Sequence, residues 1–197
     1  MKHKNELPQY LVIFLFTLMF LKNLQAQEFI VGVEDIAYYP LFEFKSKRDT
    51  HSRELLNTFA AAKGYKFTYL PLPIKRFDKW LLEEKVDFKY PDNTRWYQDD
   101  SITRNLTFSQ SSIWLIAGTS VLKSSLKKNK FEFKSIGTLL GFYPTIWIDE
   151  INSGQVKLYE DASTSILVQK LISKHIDGID IEPSVINYYL KKLNKPI

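Results

Sequence analysis

Cysteine is absent from the 197 residues. Its absence excludes a disulfide framework, thiolate metal centres, iron–sulfur clusters and a cysteine nucleophile. It equally excludes a lipid-bearing N-terminal Cys. Histidine occurs only three times, too sparsely for a His-rich metal site, and no cofactor is expected. Seven glycines and eight prolines are too few for a low-complexity linker or a repeat array. No GxSxG, HExxH, GxGxxG or P-loop pattern occurs, and His51 and His175 fall in different halves of the chain without an evident partner. No enzyme is therefore expected, although a fold by itself never excludes catalysis. Positive charge is modest. Of the net +5, +2 belongs to residues 1–26, where Lys2, Lys4 and Lys22 face Glu6. No nucleic-acid partner is expected from the remainder. The lysines between Lys123 and Lys134 are interspersed with Ser, Glu and Phe and read as a solvated edge.

What is present is ordinary globular material, 45% apolar, 15% aromatic and 25% charged. It follows an address. Lys2, His3 and Lys4 precede an apolar run from Tyr10 to Leu21, and polar residues from Lys22 lead to Ala26. This is the order of a secretory signal peptide, with residues 1–26 removed after Ala26. The alternative, an uncleaved anchor, needs about 20 apolar residues, more than this run offers. A periplasmic mature chain starting at Gln27 is expected.

Beyond Gln27 the pattern alternates between strands and helices. Phe29–Val33 reads as a strand, followed by an aromatic loop through Phe42. A helix capped by Ser52 and closed by Gly64 carries Leu55, Leu56, Phe59 and Ala60 on one face. Lys66–Leu70 is a second strand, Pro73 opens a second helix and Val86–Tyr90 is a third strand. Extended candidates follow at Trp114–Ala117 and Ser120–Leu122. Strand-like stretches at Leu139–Phe142, Thr145–Ile148, Val156–Tyr159 and Gly178–Ile181 surround a helix over Ser163–His175, and Pro183 opens a last helix. This order predicts an α/β architecture with mainly parallel sheets and ligand-facing loops at the carboxyl ends of the strands.

Several segments together resemble the extracellular solute-binding proteins of the amino-acid (family 3) type. They are FIVGVED with its aromatic loop, AAAKGYKFTYLPL, FDKWLLEEKVDFKY, LTFSQS and LVQKLISKHIDGIDIEPSVINYYL. Tyr90-Pro-Asp-Asn-Thr-Arg-Trp96 resembles a divergent branch of that family. The resemblance implies a bilobed periplasmic binding-protein fold (type II), with lobe 1 at residues 27–115, lobe 2 at 116–197 and a hinge between them. It implies capture of a small polar solute in the interlobe cleft for an inner-membrane transporter or a sensor, with the protein a monomer. The alternatives are a lyase-like periplasmic enzyme on the same fold and a degenerate chain without a ligand. The family usually runs some tens of residues further, in a stretch that returns to the first lobe. The end at Ile197 therefore implies a C-terminally shortened member whose first lobe lacks closing elements.

The resemblance also nominates site residues. Tyr38 and Tyr39 lie where the family stacks aromatic rings on a ligand, or else they pack as core. Asn93 and Trp96 follow the third strand at the ligand-facing edge, where Pro-Asp-Asn also suits a plain turn. The family's carboxylate-holding Arg position is Ile102 here, and Arg104 is the candidate replacement. A surface ion pair is its alternative. Thr145 could open an anion-binding helix start. Glu182 occupies the position of an ammonium-binding acid, or serves as a helix N-terminal charge before Pro183.

Overall fold

The computed structural model describes residues 26–97, 99–116 and 118–194. The signal-peptide expectation falls almost wholly outside that range. Two sheets organise the chain. The first is three-stranded and wholly parallel, in the order β2-β1-β3, from β1 (Gln27–Glu34), β2 (Tyr65–Leu72) and β3 (Phe88–Tyr90). Helix α1 (His51–Lys63) connects β1 to β2. A 3₁₀ segment, Ile74–Lys79, and the short α2 (Trp80–Glu83) connect β2 to β3. A one-turn helix, α3 (Asp100–Thr103), follows. The second sheet has the order β4-β7-β5-β6, from β4 (Ser120–Val121), β5 (Ser135–Leu139), β6 (Lys157–Asp161) and β7 (Gly178–Ile179). Only the β4–β7 pairing is antiparallel. Its helices are α4 (Ile148–Asn152), α5 (Thr164–Ile172) and α6 (Pro183–Lys192).

Local chemistry explains most boundaries. Thr50, two residues before the expected Ser52, caps α1, its side-chain oxygen accepting from the Arg53 N–H. Ser52 lies inside the helix, buried, with its hydroxyl donating to Tyr90 at 3.2 Å. Gly64 closes α1 in the left-handed conformation, as the sequence implies. Pro73 flanks a 3₁₀ segment rather than opening a long α-helix. Ser163 caps α5, and Pro183 is the first residue of α6.

Three expected strands are corrected. Of Leu139–Phe142 only Leu139 lies in a strand, the end of β5, and the chain then turns, with the Phe142 N–H donating to the Leu139 carbonyl. Thr145–Ile148 is not extended: a turn closed by the Trp147 N–H on the Pro144 carbonyl leads into α4, whose first turn carries Asp149 and Glu150. Among the described residues of Trp114–Ala117 there is no strand. Trp114 and Ile116 are exposed there, with no ladder partner among the described residues.

Each face of the first sheet has its own packing. Val31 and Val33 point toward α1 and the aromatic loop. On the other face Gly32 leaves room for Trp80: a Cβ there would lie 3.2 Å from the indole and 3.3 Å from Val86. Trp80 is fully buried, its N–H donating to the Pro73 carbonyl at 3.1 Å. The larger apolar cluster is continuous across both sheets. It joins Val31, Val33, Tyr38 and Phe42 to Leu139, Ile179, Ile181 and Val185, so the two halves share a core. They also meet at Gly141, with φ +91°. A Cβ there would sit 3.1 Å from the Lys75 backbone nitrogen and 3.1 Å from the Ile74 Cβ. Nearby, Lys75 pairs with Glu160 at 3.8 Å.

Gly141→Ala therefore combines left-handed strain with a collision against the other half. Gly154→Ala, at φ +74° with nothing within 4 Å, carries the strain alone, about 1 kcal/mol. Chemical denaturation is expected to rank Gly141→Ala as the more destabilising. Equal losses would show that the halves do not meet at Gly141.

Candidate functional site

The carboxyl ends of β1, β3 and β7 gather acidic residues. Glu34 ends β1 on the same face as Gly32, and its burial is nearly complete, at 3% exposure. Its Oε2 has no hydrogen-bond partner among the described residues. Burial, with a smaller contribution from nearby Asp92, pushes its carboxyl up to about 8. Asp92 follows β3. Burial raises it too, against the opposing pull of Lys89.

Lys89, opposite Gly32 in the β1–β3 register, has a nearly sealed side chain. Its ammonium donates to the Tyr97 hydroxyl, lies 3.8 Å from Asp92 Oδ2 and sits 3.5 Å from the centre of the Phe77 ring. Tyr97 passes the chain on, its O–H donating to Asp92 Oδ2 at 2.9 Å. Desolvation lowers Lys89 to about 8, opposed by the charges of Asp92 and Asp78. An aromatic face and a carboxylate suit a cation here, but this cation is committed to its own cage.

Across the junction, the Glu182 N–H donates to the Tyr38 hydroxyl at 2.9 Å, and the Tyr189 O–H donates to the Ala37 carbonyl at 3.1 Å. Tyr39 packs on Tyr188 with ring centres 4.4 Å apart and ring planes tilted by 56°. Arg48 lies over Tyr39 and donates to the Tyr188 hydroxyl at 3.2 Å. Tyr38 is buried between Phe42 and Phe142. Burial raises its phenol well above the tyrosine range, and the charges of Glu34, Glu182 and Asp180 add to the rise. Asp180, just past β7, is pushed up to about 6 by burial. The Tyr38 phenol thus feels Glu34 from the first sheet and Asp180 and Glu182 from beyond β7, while Asp92 acts on Glu34. Among the described residues, no group of three or more His, Asp or Glu side chains is placed to hold a metal ion.

Of the residues nominated from sequence, Tyr38, Tyr39 and Glu182 come together at this junction. Glu182 also caps α6, its Oε2 accepting from the Ser184 N–H at 2.7 Å and from the Ser184 hydroxyl. The others lie elsewhere. Asn93 is exposed and caps a 3₁₀ turn, accepting from the Arg95 N–H at 3.0 Å. Trp96 packs toward Phe77 in the smaller apolar cluster, ring centres 6.0 Å apart. Arg104 is exposed. Thr145 lies in the turn before α4 and opens no helix. Sequence reasoning missed Glu34, Lys89, Tyr97 and Asp180. Glu34 carried a signal, since the alternation Ile30, Gly32, Glu34 puts a carboxylate on an inward strand face.

Comparison of the fold with solved structures finds the same architecture repeatedly. The ligand-binding core of GluR0 with L-glutamate matches at TM-score 0.61 and 15% identity, over 85% of this chain and 75% of that one. A Streptococcus pneumoniae substrate-binding protein with bound histidine matches at 0.59 and 14%, over 89% and 74%. The ancestral amino-acid-binding protein AncCDT-1, a precursor of cyclohexadienyl dehydratase, matches at 0.62 and 17%, over 91% and 78%. The fold is that of the bilobed solute-binding proteins. No family model matches the chain, and no curated protein matches it in sequence.

The buried carboxyls fix a pH dependence. In the fold Glu34 keeps its proton to about pH 8, whereas the unfolded chain releases it near 4.5. Between those values the native state binds more protons, so this contribution falls as pH rises. Asp180 acts in the same direction up to about pH 6. Urea unfolding is expected to show Glu34→Gln matching the unaltered chain at pH 4 and exceeding it in stability at pH 8.5. A variant that is less stable at pH 8.5 would contradict the assignment.

Proposed function

We propose that the chain captures a small amino-acid-like solute bearing an ammonium or guanidinium group between its two lobes. It acts in the periplasm and passes the solute to a membrane transporter or sensor. The observation that supports this is Glu34, buried at the end of β1 with one carboxylate oxygen unpartnered among the described residues, acted on by Asp92 and acting, with Asp180 and Glu182, on the Tyr38 phenol. A cationic group is the ligand chemistry that compensates such an oxygen. The fold supports the reading, because in open parallel sheets ligands bind beyond the strand carboxyl ends. Tyr38 and Tyr39 supply ring faces for the rest of the solute. Among the described residues no helix is long and apolar enough to cross a membrane.

Thermal unfolding of residues 27–197 with single solutes tests this. L-Arginine, whose side chain ends in a guanidinium, is expected to stabilise the chain by about 2.7 kcal/mol at a hundredfold excess over Kd. Its neutral isostere L-citrulline is expected to do far less. If neither cationic amino acids nor alkylamines shift the transition, the reading is wrong.

A further inference from the structure

Glu34 is closed in without a counter-charge. Its buried Oε2 has no hydrogen-bond partner among the described residues, Asp92 from the segment after β3 acts on it as a second acid, and Lys89 of β3 is held by Tyr97, Asp92 and the Phe77 ring. The Tyr38 phenol, from the loop after β1, feels the charge of Glu34, and Asp180 and Glu182, from the β7–α6 connection, act on that same phenol. The adjacent Asp35 is already paired with Lys45 at 2.7 Å. Each of these facing groups is acidic, neutral or a cation already engaged. An ionised carboxylate so enclosed is costly, and a neutral carboxyl is not. The empty site is stable with Glu34 as the acid.

We propose that Glu34 is a proton-exchange group: the solute's cationic group enters against its carboxyl, and the carboxyl proton leaves to solvent as the ion pair forms. This deepens the capture reading above and rests on it. One positive charge enters and one proton departs, so the enclosed charge is unchanged. Two consequences follow from linkage. Affinity for a permanently charged solute rises about tenfold per pH unit between pH 6 and 7.5, then levels off above the pH at which the empty site loses its proton. Close to one proton is released per solute bound at pH 7. Asp180 titrates lower, so its proton is already gone at that pH.

The test has two arms. In the first, L-arginine is titrated calorimetrically into the unaltered chain at pH 7, in phosphate and in Tris buffer. Their different ionisation enthalpies report protons released. Close to one is expected, falling to none in Glu34→Gln. In the second, which needs no solute, carbon NMR of side-chain carboxyls follows the unliganded protein from pH 4 to 10. The Glu34 signal is expected to titrate near pH 8. Titration of Glu34 below pH 6 overturns the proposal whatever binds. Arginine binding without proton release, or with equal release in Glu34→Gln, overturns it and leaves capture standing. Failure of arginine, agmatine and putrescine to bind overturns the capture reading and the proposal with it.

Discussion

The hydrogen bond from the Glu182 N–H to the Tyr38 hydroxyl is the contact on which the rest of the junction depends. It ties the loop after the first strand of one sheet to the first turn of the last helix of the other. Once it forms, the Tyr38 ring lies against Phe42 and Phe142, and the shared apolar cluster becomes continuous. At the strand ends beside it, Glu34 is buried. Burial then does to Glu34 and Asp180 what low dielectric does to any carboxyl without a partner.

The chemistry around the junction divides into a satisfied part and an unsatisfied part. The satisfied part is the Lys89 cage, in which ammonium, phenol, carboxylate and ring face complete one another. Truncating one member of such a buried set strands the others, so the cage reads as a fixed wall. The unsatisfied part is Glu34. The contacts between the halves are of a kind that can part and re-form: a tilted aromatic contact, a half-exposed ion pair between Lys75 and Glu160, and single hydrogen bonds. Exposed ion pairs of this type contribute little. Parting the halves at Tyr38, Tyr39 and the last helix would break these contacts and leave the hydrogen bonds within each sheet intact.

Much of the architecture is legible in the sequence, for physical reasons. Strong local signals place their elements well: Gly64 and Pro183 mark a helix end and a helix start, and the apolar run at Phe29–Val33 marks the first strand. Weak ones fail. Thr145–Ile148 has β-branched residues suited to a strand, but Pro144 and the acidic pair at 149 and 150 make a turn and a helix start instead. The site is half legible. Tyr38, Tyr39 and Glu182 are conspicuous because they are aromatic or charged beside strand and helix ends. Asn93, Trp96, Arg104 and Thr145 are of equally suggestive types, yet local turn chemistry, core packing or solvent claims them. Lys89 and Asp180 escape notice because a lysine or aspartate in a short strand looks like surface until the fold covers it.

The central claim is that the two halves meet in the unliganded protein and so create the buried acid. The cysteine-free chain lets spin labels be placed specifically on Lys75→Cys and Glu160→Cys, whose native side chains pair at 3.8 Å. Electron paramagnetic resonance distance measurement without solute is expected to give one short, narrow separation. It is expected to broaden when Tyr38→Ala removes the hydroxyl that accepts from Glu182. A broad or long distribution in the double-cysteine chain with Tyr38 intact would contradict the account.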